Sequence, residues 1–171
     1  MKTILQMYSQ VLQIVEEIHE KNITHYDIKC DNFFVDTENT ASSLTLDTNY
    51  QPKMNLCLGD FGECTIGTLE KQEINFVNRG TECNNSPEML NLAMNKSNNS
   101  NFDRRRVKGT TKSSDIWSLG CLLYELVTGE FLFHDDNWSK FFVRVTGNNQ
   151  VLITDENREK MLGDAKLAEF L

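Results

Sequence analysis

The sequence predicts an α+β fold, mainly α-helical, in which one short β-hairpin carries the polar loops that do the chemistry. Three observations predict it. Ile4, Tyr8, Val11, Val15 and Ile18 recur every three or four residues, which is the apolar stripe of a helix packed on a core. Two short runs, Phe33-Phe34-Val35 and Asn55-Leu56-Cys57-Leu58, flank the polar segment Thr37 to Pro52 and read as paired strands with an insertion between them. Asp115 to Val127 is apolar on almost every face and reads as a buried helix.

Size and composition fit one domain. A chain of 171 residues has room for a core, and its 39% apolar and 25% charged residues are ordinary for a folded protein. The net charge of -8 argues against nucleic acid or an anionic membrane as partner. Cys30, Cys57, Cys64, Cys83 and Cys121 are odd in number and never spaced C-x-x-C, so the sequence predicts neither a disulfide framework nor a zinc site. Reduced thiols fit a cytoplasmic protein. No signal peptide and no membrane span are expected.

The first helix is expected to stop at Asn22, a residue that tolerates the left-handed conformation. The second strand ends in Gly59-Asp60-Phe61-Gly62. Glu63 to Asn85 shows no clear period, and Leu90 to Lys112 holds a second polar insertion, Asn95 to Asn101, followed by Arg104-Arg105-Arg106. Those arginines read as a solvated loop rather than a nucleic-acid patch. Ser113 or Ser114 is expected to cap the buried helix and Gly129 to end it. Further helices are expected at Trp138 to Val145 and, more weakly, at Glu156 to Leu171.

The chemistry concentrates in His25-Tyr26-Asp27-Ile28-Lys29-Cys30-Asp31-Asn32. Asp27 offers a carboxylate to a hydroxyl nucleophile, Lys29 a cation to a phosphoryl group, and Asn32 an amide oxygen to a hard divalent cation. Those are the parts that phosphoryl transfer needs. Alone, the octapeptide also reads as a polar turn between helix and strand.

Together with three motifs downstream of it, in their order along the chain, the octapeptide resembles the C-terminal lobe of a eukaryotic protein kinase. The octapeptide resembles the catalytic loop, and Asp60-Phe61-Gly62 the metal-binding motif that opens the activation segment. Gly80-Thr81 and Ser86-Pro87-Glu88 resemble the motif that closes it. Asp115-Ile116-Trp117-Ser118-Leu119-Gly120 through Gly129 resembles the family's central buried helix.

The resemblance implies roles. Asp27, Lys29 and Asn32 would be catalytic, with Asp27 as the base and Lys29 on the transferring phosphate. Lys29, Asn32, Phe34 and Asp60 would bind ATP, and Asn32 and Asp60 would hold Mg. Phe34 would lie beneath the adenine, with Leu122 and Leu126 below it. His25 and Phe61 would stack, Asp115 would hold the catalytic-loop backbone, and Glu88 would pair with a later arginine, Arg144 or Arg158. Gly80-Thr81 and Lys29 imply a protein substrate with a Ser/Thr acceptor.

The chain also departs from the family pattern. No Gly-rich phosphate loop and no strand lysine precede Ile4, so residues 1–171 read as a partial kinase domain, lacking the N-terminal lobe and the last helix. Tyr26 replaces an arginine that in the family pairs with a phosphorylated activation segment, and Asn84 stands where tyrosine is common. Besides an enzyme, the pattern admits a kinase-like binding module that no longer catalyses. A small-molecule phosphotransferase is disfavoured, because the long segment from Asp60 to Glu88 serves to dock a peptide.

Overall fold

The computed structural model describes residues 2–37, 54–68, 73–98, 109–147 and 151–162. α1 (Lys2–Glu20) turns Val11, Val15 and Ile18 into the core, as its period requires. It stops at Asn22, which adopts φ +56° and donates its N–H to the His19 carbonyl at 3.0 Å. Lys112 then crosses back to the frayed end, donating from Nζ to the His19 carbonyl and to Asn22 Oδ1 at 2.8 Å. A cation at a helix C-terminus is the favourable polarity there.

Two small antiparallel sheets come next. β1 (Ile23–Thr24) pairs with β4 (Thr65–Ile66). β2 (Phe33–Thr37) pairs with β3 (Met54–Leu58), Phe33 opposite Leu58 and Thr37 opposite Met54. The predicted hairpin is therefore present, one or two residues longer than its apolar runs. Residues 38–53 and 99–108 hold most of the two polar insertions and all three clustered arginines, and they lie outside the described residues.

α3 (Ser113–Thr128) is the spine of the fold. On one side Leu119 and Leu122 pack with Val11, Val15 and Ile28, and with Phe33 and Leu58 of the hairpin. On another, Cys121 and Tyr124 pack with Leu90, Leu132, Phe133, Phe141 and Val145. Each fully buried leucine contributes about 1.5–3 kcal/mol by leaving water. Gly129 ends α3 at φ +74°, its N–H on the Glu125 carbonyl at 2.8 Å, as expected. The start differs from expectation. Ser113 and Ser114 both lie inside the first turn, and the capping position, Lys112, makes no side-chain cap. Thr111 Oγ1 accepts the Ser113 N–H at 3.4 Å, while the Ser114 hydroxyl pairs with Ser86 Oγ at 3.1 Å. Nor is α3 buried all round, since Ile116 is 58% exposed.

α2 (Pro87–Asn98) is not evident from the sequence, because its second half is the polar asparagine-rich stretch. The legible signal is Ser86-Pro87. Proline favours the first helical position, and Ser86 Oγ accepts the Met89 N–H at 3.4 Å. α4 (Trp138–Thr146) matches its predicted span, and α5 (Asp155–Leu162) covers the first part of the weaker one. Glu88 is half-buried and partnered, but Arg144 lies over the Phe133 ring and Arg158 bonds Asp155 at 3.1 Å. Neither arginine shows the expected pairing. Among the described residues no helix is long and apolar enough to cross a membrane.

Candidate active site

The loop between β1 and β2 is fixed from beneath by Asp115, which is fully buried in the first turn of α3. Its Oδ2 accepts the His25 N–H at 2.8 Å and its Oδ1 the Tyr26 N–H at 2.7 Å. His19 Nε2 lies 2.8 Å from the same Oδ2. A buried carboxylate is tolerated only when so satisfied. Two adjacent backbone N–H groups can share one carboxylate because Tyr26 takes the left-handed conformation, φ +66°. The bend sends the Tyr26 carbonyl toward Gly80, where a Cβ would meet it at 2.0 Å. Gly80 itself has φ +75°, so glycine is required there on both counts.

Beyond the bend the polar side chains converge. Asp27 is 8% exposed. Its Oδ1 accepts from Thr81 Oγ1 at 2.7 Å, and its Oδ2 lies 3.0 Å from Lys29 Nζ and 3.0 Å from Asn32 Nδ2. Lys29 Nζ also donates to Thr81 Oγ1 at 2.9 Å, and Asn32 Nδ2 to the Asp27 carbonyl at 2.7 Å. Burial pushes the Asp27 carboxyl up, but the bonds from Thr81, Lys29 and Asn32, with the Lys29 charge, outweigh it and hold the carboxyl below its usual range. Asp27 is therefore an anion at neutral pH. Cys30, in the same loop, is the reverse case. Burial, with the Glu125 carboxylate beside it, pushes its thiol up to about 12, so it is no nucleophile.

Asp60 stands across the hairpin. The Gly59 N–H donates to the Asn32 carbonyl at 2.9 Å, continuing the β2–β3 pairing and seating Asp60 one residue further along. His25 ties the loops a second time. Its Nε2 bonds the Gly59 carbonyl at 3.1 Å, which makes Nε2 the protonated nitrogen and leaves Nδ1 to accept the Asp27 N–H at 3.3 Å. Phe61 meets the same imidazole edge-on, ring centroids 4.9 Å apart, as expected. Asp60 is exposed, at φ +57°, and its Oδ1 holds only a long bond, 3.4 Å from the Gly62 N–H.

The family model described as "Protein kinase domain" matches residues 1–166. A probable serine/threonine-protein kinase of Dictyostelium discoideum is 41% identical over 98% of this chain, which is 7% of that protein. The serine/threonine-protein kinase nekl-2 of Caenorhabditis elegans is 29% identical over 94% of the chain and 37% of its own length. The Dictyostelium probable serine/threonine-protein kinase nek3 is 32% identical over 83% of the chain and 10% of its own length. The chain belongs to the protein kinase family. It spans a small part of these relatives, and by resemblance it is a serine/threonine kinase sequence.

Within the kinase fold, the structure brings Asp27, Lys29, Asn32 and Thr81 into direct contact and joins Asp60 to them through backbone. Phe34 is 59% exposed, its ring lying against Gly59. Strand alternation turns Phe33 and Val35 toward Leu122 and Leu126, and the four line one small cavity with Leu56. Sequence reasoning misses one contributor. Asn84, on sequence only a departure from the family pattern, donates from Nδ2 to the Ile28 carbonyl at 3.0 Å, and its own carbonyl accepts from Ser118 Oγ at 2.7 Å. It links α3 to the loop between β1 and β2, a role that no local sequence signal reveals.

The donor set suits a hard divalent cation. Asn32 commits its Nδ2 to Asp27, and among the described residues its Oδ1 has no hydrogen-bond donor. With Asp60 that makes two oxygen donors and no thiolate or imidazole. Among the described residues no group of three or more His, Cys, Asp or Glu could hold a metal. Few protein ligands, with the rest supplied by phosphate and water, is the habit of Mg.

Proposed function

We propose that this chain is the acceptor-side catalytic lobe of a serine/threonine protein kinase. It acts on a protein hydroxyl with Mg-ATP as donor, when the nucleotide phosphates are held by further groups outside the site described above. The observation that carries the reading is the Asp27–Thr81–Lys29 triangle, an ionised carboxylate in a pocket whose other wall is a cation. Asp27 takes the proton from a serine or threonine hydroxyl as its oxygen forms a bond to the γ-phosphorus and the bond to the leaving diphosphate breaks. Lys29 offsets charge on the transferring group. Asn32 Oδ1 and the Asp60 carboxylate would hold Mg, which when bound neutralises the phosphate oxygens. The exposed Phe34 ring would support the adenine.

Lys29 crowds Asp27 closely enough to favour a short aliphatic hydroxyl over a phenol. The test is the purified chain with Mg-ATP and a generic Ser/Thr protein substrate, beside its Asp27→Ala variant. The expected result is no transfer above that control, because nothing among the described residues clamps the β- and γ-phosphates in line. Joined to an N-terminal kinase lobe, the chain should lose most transfer on Asp27→Ala. Near-full turnover by that folded variant would overturn the base assignment, and phosphotyrosine as the dominant product would overturn the acceptor class.

A further inference from the structure

A second polar cavity, about 500 Å³, opens between α3, α4 and α5, and none of the candidate active-site residues lines it. Its wall includes Tyr124, nine residues beyond Asp115 on α3 and so about 14 Å further along the helix axis. Two groups there have unused capacity. The Tyr124 side chain is 2% exposed, and its hydroxyl accepts from Asn157 Nδ2 at 3.1 Å. Among the described residues, its own proton has no acceptor. Arg144 is half-buried, its guanidinium stacked 5.5 Å from the Phe133 ring centroid and donating once, to Asn157 Oδ1 at 3.3 Å. Among the described residues it meets no carboxylate.

A half-buried guanidinium carries five donors and a charge that water solvates poorly in a cavity, so it favours an oxyanion. The other cation, Lys160, is already balanced by Glu130 at 2.7 Å and Glu156 at 3.4 Å. With two cations and two carboxylates the wall is formally neutral, counting His134 as neutral. It therefore tolerates one added negative charge better than two, which favours a carboxylate over a phosphate dianion. Phe131, 48% exposed on the rim, offers apolar contact to the carbon stem of such a side chain.

We propose that this cavity docks a single aspartate or glutamate side chain of a protein partner. Arg144 is its ion-pair partner and Tyr124 its hydrogen-bond donor. The proposal is independent of phosphoryl transfer.

The test is an NMR titration of the ¹⁵N-labelled chain at constant ionic strength. Three blocked peptides serve as probes: Gly-Glu-Gly, Gly-Gln-Gly and Gly-phosphoSer-Gly. The Arg144 Nε–H signal should shift saturably with the glutamyl peptide, less with the phosphoseryl peptide and not with the glutaminyl one. Binding is then read at the Asn157 side-chain amide in two variants. Arg144→Gln keeps a donor for Asn157 and should weaken glutamyl binding at least about tenfold. Tyr124→Phe, which retains the ring and its packing, should weaken it several-fold. If one variant fails to fold, the other still decides. Absence of a saturable shift, equal response to the glutaminyl peptide, tighter binding of the phosphoseryl peptide, or unchanged affinity in a folded Arg144→Gln or Tyr124→Phe chain would each overturn the proposal.

Discussion

Asp27 and Asp60 are the two carboxylates of the candidate site, and the chain holds them in opposite ways. Asp27 sits 8% exposed with Thr81, Lys29 and Asn32 all on its oxygens. Asp60 is exposed, in a left-handed backbone, with one 3.4 Å bond from Gly62 N–H. That conformation costs a non-glycine residue about 1–3 kcal/mol. It is sustained by the anchoring of Gly59 to Asn32 and His25, rather than by anything Asp60 itself contacts. The Asp27 side, proposed to receive the acceptor, is thus preorganised by this chain's own side chains. On the Asp60 side, proposed to hold Mg, the backbone is set and the carboxylate is left available.

The contrast is broken most severely at Asp27. With an N-terminal kinase lobe joined to this chain, Asp27→Ala should lower phosphoryl transfer by about 10²–10⁴-fold, the usual worth of a positioned base, with the circular dichroism spectrum unchanged. Turnover on a Ser/Thr substrate measures it. Asp115→Ala should act on folding instead. It leaves the His25 and Tyr26 N–H groups and His19 without their common acceptor, at a cost of about 3–5 kcal/mol, read as a drop in the urea midpoint. If the Asp115 variant kept wild-type stability, the preorganisation of the acceptor side would not rest on α3.

Gly80→Ala comes next. It places a Cβ 2.0 Å from the Tyr26 carbonyl at φ +75°, so it should destabilise by about 1–3 kcal/mol and displace Thr81 from Asp27. Tyr26 sharpens the same point. The position has no charge for a phosphorylated activation segment, and its phenol is buried, donating to the Thr110 carbonyl at 3.0 Å. Phosphatase treatment of a form that carries an N-terminal kinase lobe should therefore leave activity intact. Loss of activity, restored by rephosphorylation between Asp60 and Glu88, would refute this.

Much of this is legible in the sequence because it is local. The hairpin, the stop at Asn22, the cap at Gly129 and the Asp115 anchor derive from period, turn chemistry and an ordered set of motifs. What escapes depends on tertiary context. α2 hides behind a polar stretch whose helicity is supported by burial of Met89, Leu90 and Leu92. The Ser114 hydroxyl goes to Ser86, 28 residues away, instead of capping its own helix. Asn84 is a lone polar residue until folding sets it between Ile28 and Ser118. Phe34 lies on the hairpin as its motif predicts, but which of its neighbours face α3 depends on strand parity that motif matching passes over.

Stability against pH separates the donor-rich carboxylate from a donor-poor one, Glu125, beside Cys30 of the same loop. Asp27 has its carboxyl held down in the folded state, so its contribution is present above the ordinary aspartate value, about 3.9, and is lost as pH falls through the lower folded value. Glu125 is the reverse. Burial, opposed by the Cys30 thiol and aided by Asp31, holds its carboxyl up, and among the described residues its Oε2 has no hydrogen-bond partner. Its contribution is present below the ordinary glutamate value, about 4.3, and is lost as pH rises through the raised folded value. Two neutral variants, Asp27→Asn and Glu125→Gln, should therefore respond to pH with opposite sign. Relative to wild type, Asp27→Asn should be most destabilised near neutrality and recover toward acid. Glu125→Gln should gain on wild type as pH rises from about 4 to 7. Urea midpoints of the three proteins across that range measure it. Parallel curves would show that the bonds to Asp27 do not favour its charged form, and the preorganisation assigned to the acceptor side would then be geometric only.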